Sequence, residues 1–413
     1  MSANSEPSDA KFEVENSDLA LEADELLCGP NSEQTPTLSV VMPTLNEESG
    51  IRECMERIRT AIVDLGILAE IIISDSSTDR TPDIAREMGA IVVEPDEPGY
   101  GYAYRYAFAQ ARGKYLAMGD ADTTYDFEEL PKLLNHLHDE SADIVMGSRL
   151  EGEIKAGAMP NLHQYIGNPL LTKFLNVFYD AGVSDAHSGF RVFTRDALET
   201  LDLDSDGMEF ASEMIMDASV KDLKISEVPI TYHEREGEAK LESFQDGWRH
   251  VKFMLINAPS YLFSVPGLAM CGVGLFLMAF SLTGQSIQVI PTVRQPTIPG
   301  IRSMVTGSLL MIVGYQIASK GLFTTVAGDP IRRPDDPITN VIVEHLSLER
   351  GAAIGLMILG SGVAYAAYLL SQWWFIGYEA LPALTHDIAA FTAIVIGVQT
   401  MFGAFFISAV ADR

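Results

Sequence analysis

Positive charge is scarce in this chain. Its 413 residues include 28 Lys and Arg against 57 Asp and Glu, a net charge of −29. Residues 1–260 alone hold 49 of the acids and 21 of the basic residues, about −28 of that total. Such a surface excludes nucleic acid as a partner, because that role needs a basic footprint. Excess carboxylates keep a protein hydrated in high salt, so the balance points to a halophilic source. Cysteine is also scarce: Cys28, Cys54 and Cys271 stand far apart and form neither a C-x-x-C pair nor a disulfide framework. The first residues lack the basic and apolar regions of a secretory signal, so the part that follows is expected to stay in the cytoplasm. Residues 1–37, with nine acids and one Lys, read as a disordered acidic tail. There is no internal repeat, and no chain of carboxylates inside the apolar stretches such as a pump needs.

What is present is an alternation of short β-branched runs with helical patterns. Residues 38–42, 70–74, 91–94, 115–118 and 144–146 read as strands. Between them, residues 48–65, 82–88, 100–112 and 127–137 carry apolar side chains at helical spacing, as with Ile51, Met55, Ile58 and Ile62. This order predicts an α/β fold with a doubly wound, mostly parallel sheet and ligands at the carboxyl ends of its strands. The sequence divides into the tail (1–37), a catalytic domain (38–240), an amphipathic interfacial helix (241–258) and a membrane domain (259–413). The interfacial helix rests on the stripe Phe244, Trp248, Val251 and Leu255, flanked by Arg249, His250 and Lys252.

Four apolar stretches, near residues 262–282, 303–319, 352–375 and 388–410, each suit a bilayer-spanning helix of roughly 20 residues. The linker between the second and third carries Lys320, Arg332, Arg333 and Arg350, whereas the linker between the third and fourth has no Lys or Arg. Positive loops stay inside, so the former linker, the catalytic domain and Arg413 are expected on the cytoplasmic side.

The densest chemical signal is Asp120-Ala121-Asp122, directly after the apolar run Tyr115-Leu116-Ala117-Met118. Two carboxylates two residues apart, where a buried strand gives out, can share one hard divalent cation and leave positions open for phosphate oxygens. Alone, a pair of this kind is equally a solvated turn. Pro43-Thr44-Leu45-Asn46-Glu47-Glu48 likewise reads as a strand end and a helix start, with Asn46 as the cap and the acids in the first turn. Asp75 and Asp79 are turn residues as much as candidate ligands.

Taken in order, the Pro43–Glu48 run, Asp75-Ser76-Ser77-Thr78-Asp79, Asp120-Ala121-Asp122, Gly147-Ser148-Arg149 and Ser188-Gly189-Phe190-Arg191 resemble family-2 glycosyltransferases of the GT-A fold. The nearest resemblance within that family is to the dolichyl- and polyprenyl-phosphate hexose synthases. Arg235-Glu236-Gly237-Glu238-Ala239-Lys240-Leu241 is similar to the R-x-G-x-S-K-L stretch those synthases carry before their membrane part. The resemblance covers about residues 38–258. It implies an inverting, metal-dependent enzyme that moves a hexose from a UDP- or GDP-sugar to a lipid phosphate at the cytoplasmic membrane face.

On the matching positions, Pro43, Leu45 and Glu47 would hold base and ribose, Asp75 would receive the base, and Lys240 would bind substrate. Asp120 and Asp122 would hold Mg2+ or Mn2+ against the diphosphate, where negative charge builds as the glycosidic bond breaks. In the mannose synthases a Gln two residues further on assists the metal; here that position is Thr124. Arg149 and Arg191 would face diphosphate or acceptor phosphate. Asp185 has three open roles: base, acceptor of a sugar hydroxyl, or partner of Arg191. The mannose synthases place arginines within residues 160–168, where this chain has His163 and Asn168, and this tilts the expected sugar from mannose to glucose or another hexose. His163 either donates to phosphate or packs.

Competing readings are a processive polysaccharide synthase and a non-catalytic partner of a lipid carrier. Against the first, Gln245-Asp246-Gly247-Trp248-Arg249 carries Trp and Arg in the reverse order of the Q-x-x-R-W motif, and the spans are too few for a secretion channel. Against the second stand the intact carboxylates at 120 and 122.

Overall fold

The computed structural model describes residues 22–235, 243–283, 287–288, 297–298, 300–327, 348–376 and 383–411. The chain forms two compact units, Met1–Met254 and Leu255–Arg413.

The first unit is built on a seven-stranded sheet. Its strands are β1 (Leu38–Thr44), β2 (Ala69–Asp75), β3 (Ile91–Val93), β4 (Tyr115–Met118), β5 (Ile144–Ile154), β6 (Arg191–Thr194) and β7 (Ile225–Tyr232). They lie in the order β3-β2-β1-β4-β6-β5-β7. All neighbours pair in parallel except β6, which runs antiparallel to both β4 and β5. Helices α1 (Ala23–Leu26), α2 (Ile51–Leu65), α3 (Thr81–Glu87), α4 (Tyr100–Phe108), α5 (Leu130–Asp139), α6 (Asn168–Tyr179), α7 (Arg195–Thr200), α8 (Phe210–Val220) and α9 (Ser243–Asn257) complete the unit's elements, α9 running on past residue 254. The apolar runs explain the sheet: every residue of β2 and of β4 is buried, as parallel strands covered on both faces require. Helix α2 buries Ile51, Cys54, Met55, Ile58, Ile62 and Leu65, the face its spacing predicts.

Three expectations change. Residues 22–37, assigned to a disordered tail, include α1, and Cys28, 1% exposed, donates its backbone N–H to Ala69 at the edge of β2. Asn46 does not cap α2: Gly50 holds the cap position, and Asn46 instead takes a left-handed φ of 54°. The strand expected over residues 144–146 does not stop there: β5 continues through Arg149 to Ile154, past a register shift between Ser148 and Glu153.

Among its described residues the second unit contains four helices long and apolar enough to cross a membrane, within Ser260–Leu282, Ile301–Thr324, Glu349–Phe375 and Thr385–Ala409. The first two meet through glycines: a Cβ added at Gly274 would lie 2.6 Å from the Gly307 carbonyl, and one at Gly307 would lie 2.8 Å from that of Gly274. Small residues that let backbones approach are the usual means of packing helices in lipid, where apolar burial gives little net drive. Hydrogen bonds of 2.7 Å from Ser308 to Thr392 and from Tyr315 to Thr400 join the second helix to the fourth.

Candidate active site

The parallel strands β1, β2 and β4 present their carboxyl ends to one edge of the sheet, and the antiparallel β6 brings its first residue, Arg191, to the same edge beside Met118 and Met146. Two turns knit the β1–β2 side. The Asp75 carboxylate accepts from Thr44 Oγ1 (2.7 Å) and Ser77 Oγ (2.6 Å), and the same Ser77 hydroxyl accepts from the Asn46 amide (2.7 Å). Asn46 Oδ1 in turn accepts from the Thr78 amide at 2.8 Å. Asp75 is buried, Pro43 half-buried and Leu45 48% exposed, so of these three it is Leu45 that offers an open apolar surface at the rim. Burial works against the charge on Asp79, yet hydrogen bonds from Thr81 and from the Glu48 amide hold it below the usual carboxylate range. Asp79 thereby ties the two turns together.

Asp120 and Asp122 flank the turn that follows β4. Asp120 accepts from the Tyr100 hydroxyl at 2.8 Å, and Asp122 accepts from the Thr124 hydroxyl at 2.5 Å and its amide at 3.2 Å. Directly after Asp122, Thr123 has φ 65°, a left-handed conformation that costs a β-branched residue on the order of 1–3 kcal/mol. Burial first, then repulsion from Asp122, push Asp120 up to about 7. Arg235 partly offsets this: its guanidinium lies 3.0 Å from Glu47 Oε1 and 3.4 Å from Asp122 Oδ2.

The residues fit a hard divalent cation. Two carboxylates crowded in one turn, with burial and Asp122 raising the cost of charge on Asp120, form an oxygen donor set that positive charge would relieve. No third His, Cys, Asp or Glu joins them among the described residues. Thr124, in place of the Gln of the mannose synthases, spends its hydroxyl on Asp122 itself.

The far wall is the loop between α6 and β6. Arg149 and Asp185, 36 residues apart, form a buried two-pronged ion pair, Nε to Oδ2 at 2.7 Å and Nη2 to Oδ1 at 2.8 Å. The Arg149 amide adds a third bond to Oδ2 at 3.1 Å. Burial opposes the charge on Asp185, but the Arg149 guanidinium holds it below the ordinary carboxylate range. This settles the partner of Asp185 as Arg149, not Arg191, and Arg149 spends its fork on a carboxylate inside the protein. The guanidinium also stacks over Tyr232 at 5.2 Å. Arg191 is fully buried and donates to the carbonyls of Ser188 (2.9 Å) and Ala186 (3.1 Å), so it shapes the loop from within. In the same loop Gly189 approaches the metal-site turn: a Cβ there would lie 3.2 Å from Asp120 Oδ2. Its amide donates to the Tyr125 hydroxyl at 2.7 Å.

The structure thus joins Glu47 to Asp122 through Arg235, with Asp185 in the α6–β6 loop paired to Arg149 of β5 and Arg191 at the start of β6. His163 sits half-buried on a π-helical turn, His163–Gly167, apart from those contacts. Lys240 lies outside the described residues. Sequence reasoning did not single out Tyr100, Arg235 as the link between Glu47 and Asp122, or the pair His187 and His250. Ser212 Oγ bridges that pair, at 3.2 Å from His187 Nε2 and 3.1 Å from His250 Nδ1. The Arg235 signal was available, since it opens the Arg235–Leu241 motif already noted; Tyr100 and the histidines meet their partners only in three dimensions.

Comparison with known proteins bears on this geometry. Residues 39–202 match the family described as glycosyl transferase family 2, and residues 324–411 match the glycosyltransferase family 2 C-terminal transmembrane region. The chain is 56% identical over 396 residues to the low-salt glycan biosynthesis hexosyltransferase Agl6 of Haloferax volcanii, covering 96% of this chain and 94% of that protein. It is 36% identical to a dolichyl-phosphate hexose transferase of the same organism, over 51% of this chain and 89% of that one. A dolichol-phosphate mannosyltransferase of Pyrococcus furiosus is 28% identical, over 50% of this chain and 59% of its own length.

Proposed function

Because this chain belongs to glycosyl transferase family 2, we propose that it moves a hexose, glucose favoured, from a UDP- or GDP-sugar to dolichyl or polyprenyl phosphate, with inversion, at the cytoplasmic face of the membrane. The observation that carries this is the carboxylate pair Asp120 and Asp122 at the carboxyl edge of the sheet, buttressed by Tyr100, Thr124 and Arg235. Similarity to a hexosyltransferase along nearly the whole chain, and to a dolichyl-phosphate hexose transferase over 51% of it, supports the substrate classes.

Asp120 and Asp122 would hold Mg2+ or Mn2+, and the cation would supply positive charge where the leaving diphosphate becomes more negative. Leu45 offers an apolar rest for the base, and Asp75, fixed by Thr44 and Ser77, sets the turn that receives it. Glu47 acts through Arg235, which orients Asp122. Asp185 does not serve as a base, because its charge is locked to Arg149. A phosphate acceptor needs none: with a second pKa near 6 it is already an anion at neutral pH, so positioning and charge stabilisation suffice.

The test is incubation of membranes containing the protein with a panel of radiolabelled nucleotide sugars, followed by lipid extraction. The expected product is a chloroform-extractable, mild-acid-labile lipid carrying one hexose. Label from GDP-mannose alone would move the sugar to mannose, and water-insoluble polymer would overturn the acceptor.

A further inference from the structure

The loop that carries Gly189 to within reach of Asp120 is held by its backbone on several sides. Glu227 of β7 accepts from the amides of Ser184 at 2.6 Å and Asp185 at 3.1 Å, and Thr172 of α6 accepts from that of Ala186 at 3.2 Å. Arg191 donates to the carbonyls of Ala186 and Ser188, and Tyr125 accepts from Gly189. The side chain of His187 turns to a different support. Its Nε2 lies 3.2 Å from Ser212 Oγ on α8, and that hydroxyl lies 3.1 Å from His250 Nδ1 on α9. The two imidazoles meet edge to face, with ring centroids 4.9 Å apart. Ser212 is fully buried and His250 only 9% exposed. His187 Nδ1 is shielded from solvent without a hydrogen-bond partner among the described residues, so the polar anchoring of this ring rests on Ser212.

A helix held by apolar packing alone would need no such contact. The inner face of α9 buries His250 and, one turn on, Met254, while Trp248 is 61% exposed. A serine hydroxyl has one proton to give and can still accept, so Ser212 can donate to one neutral imidazole while accepting from the other. Such a network, enclosed by protein, admits few arrangements, because a stranded polar group costs more than the bond it loses. We propose that His250 is a positioning residue for the carboxylate pair: through Ser212 it fixes His187, and with it the loop that sets Gly189 against Asp120. The support comes from the helix that leads in sequence to the first span, which starts at Ser260. A shift of α9 is thereby felt at the carboxyl edge of the sheet. The inference rests on the assignment of Asp120 and Asp122 to the transfer reaction.

The full chain in detergent, read by amide hydrogen exchange and by steady-state kinetics, tests this. Ser212→Ala removes the hydroxyl at nearly constant volume. It should speed exchange across residues 184–191 and lower kcat about tenfold, the scale expected when a positioned group is slightly misplaced. Exchange across residues 43–48 and 75–79 should hold, which certifies the fold, and so should KM for the nucleotide sugar, since that side of the site is tied by its own bonds. The amide variants discriminate further. Asn places its amide where Nδ1 of histidine lies, and Gln where Nε2 lies. His250→Asn should therefore keep both readouts near the parent and His250→Gln should not, whereas His187→Gln should keep them and His187→Asn should not. Rescue of each histidine by either amide would show a space-filling role and overturn the proposal, as would unchanged exchange across 184–191 in Ser212→Ala. A parent chain without hexose transfer would count against the proposed function alone, because the exchange measurement decides the positioning without turnover.

Discussion

Arg235 and Asp122 face one another, Nε 3.4 Å from Oδ2, while the same guanidinium reaches Glu47. A cation from one end of the first unit's sequence therefore steadies one carboxylate of a crowded pair. Asp122→Asn should remove nearly all transfer, because an amide cannot offset cation charge, and Asp120→Asn should weaken it strongly. Mn2+ binding, followed by electron paramagnetic resonance, should fall in both variants, and EDTA should reproduce the loss of activity. Unchanged turnover in EDTA would remove the metal from the mechanism.

Arg149→Ala separates two roles for that arginine. The ion pair with Asp185 is buried on both sides, so removing one partner strands a charge and should cost roughly 3–5 kcal/mol of stability. Replacing both residues, as Arg149→Met with Asp185→Leu, should restore much of that loss. Thermal melting of the detergent-solubilised protein reads both. If Arg149→Ala melts like the parent while losing turnover, the guanidinium serves a ligand rather than Asp185.

The carboxylate pair at the strand exit was legible in the sequence because an apolar run stops just before Asp120, and a buried strand with an acidic exit is a local pattern. The spans were legible for the same reason, each being a single uninterrupted stretch. Arg149 with Asp185 was not, because a pairing across 36 residues depends on how β5 and the α6–β6 loop pass one another. Strand β6 also escaped: four residues long and antiparallel in a mostly parallel sheet, it borrows its register from β4 and β5 rather than from its own pattern. Asn46 misled because its side chain found Thr78 across the neighbouring turn before it could cap a helix.

His187 should give the first unit an acid-sensitive term. Burial first, then the nearby His250, push its imidazole down to about 3, with Asp185 opposing and Arg149 and Arg191 reinforcing that shift. The folded chain keeps it neutral, whereas the unfolded chain takes up a proton below about 6.5. Stability therefore falls as pH drops from about 6.5 towards 3, and the term is absent above that window. His187→Asn should flatten the slope of melting temperature against pH between 6.5 and 5, and an unchanged slope would clear this imidazole.

The orientation in the membrane rests on loop charge and is open to direct labelling. A single cysteine at Thr385, at the start of the fourth span, should react with an impermeant reagent from outside. One at Ser347, between the second and third, should stay protected until the membrane is opened. The reverse pattern would turn the active site to the other face.

Gly189→Ala asks whether the loop before β6 sets the position of the metal carboxylate. The added Cβ would lie 3.2 Å from Asp120 Oδ2 and 3.4 Å from the hydroxyls of Tyr100 and Tyr125, so Asp120 must move by a few tenths of an ångström. The glycine's backbone is one that alanine also adopts, and overpacking at one methyl should cost about 1 kcal/mol of stability. Catalysis should suffer more. Small misplacements of a positioned group cost up to about 100-fold in rate, so kcat should drop roughly tenfold or more. Nucleotide affinity measured in EDTA should hold, since Asp75 and Leu45 lie on the β1–β2 side of the site. Full kcat in this variant would show that the loop and the carboxylate move independently.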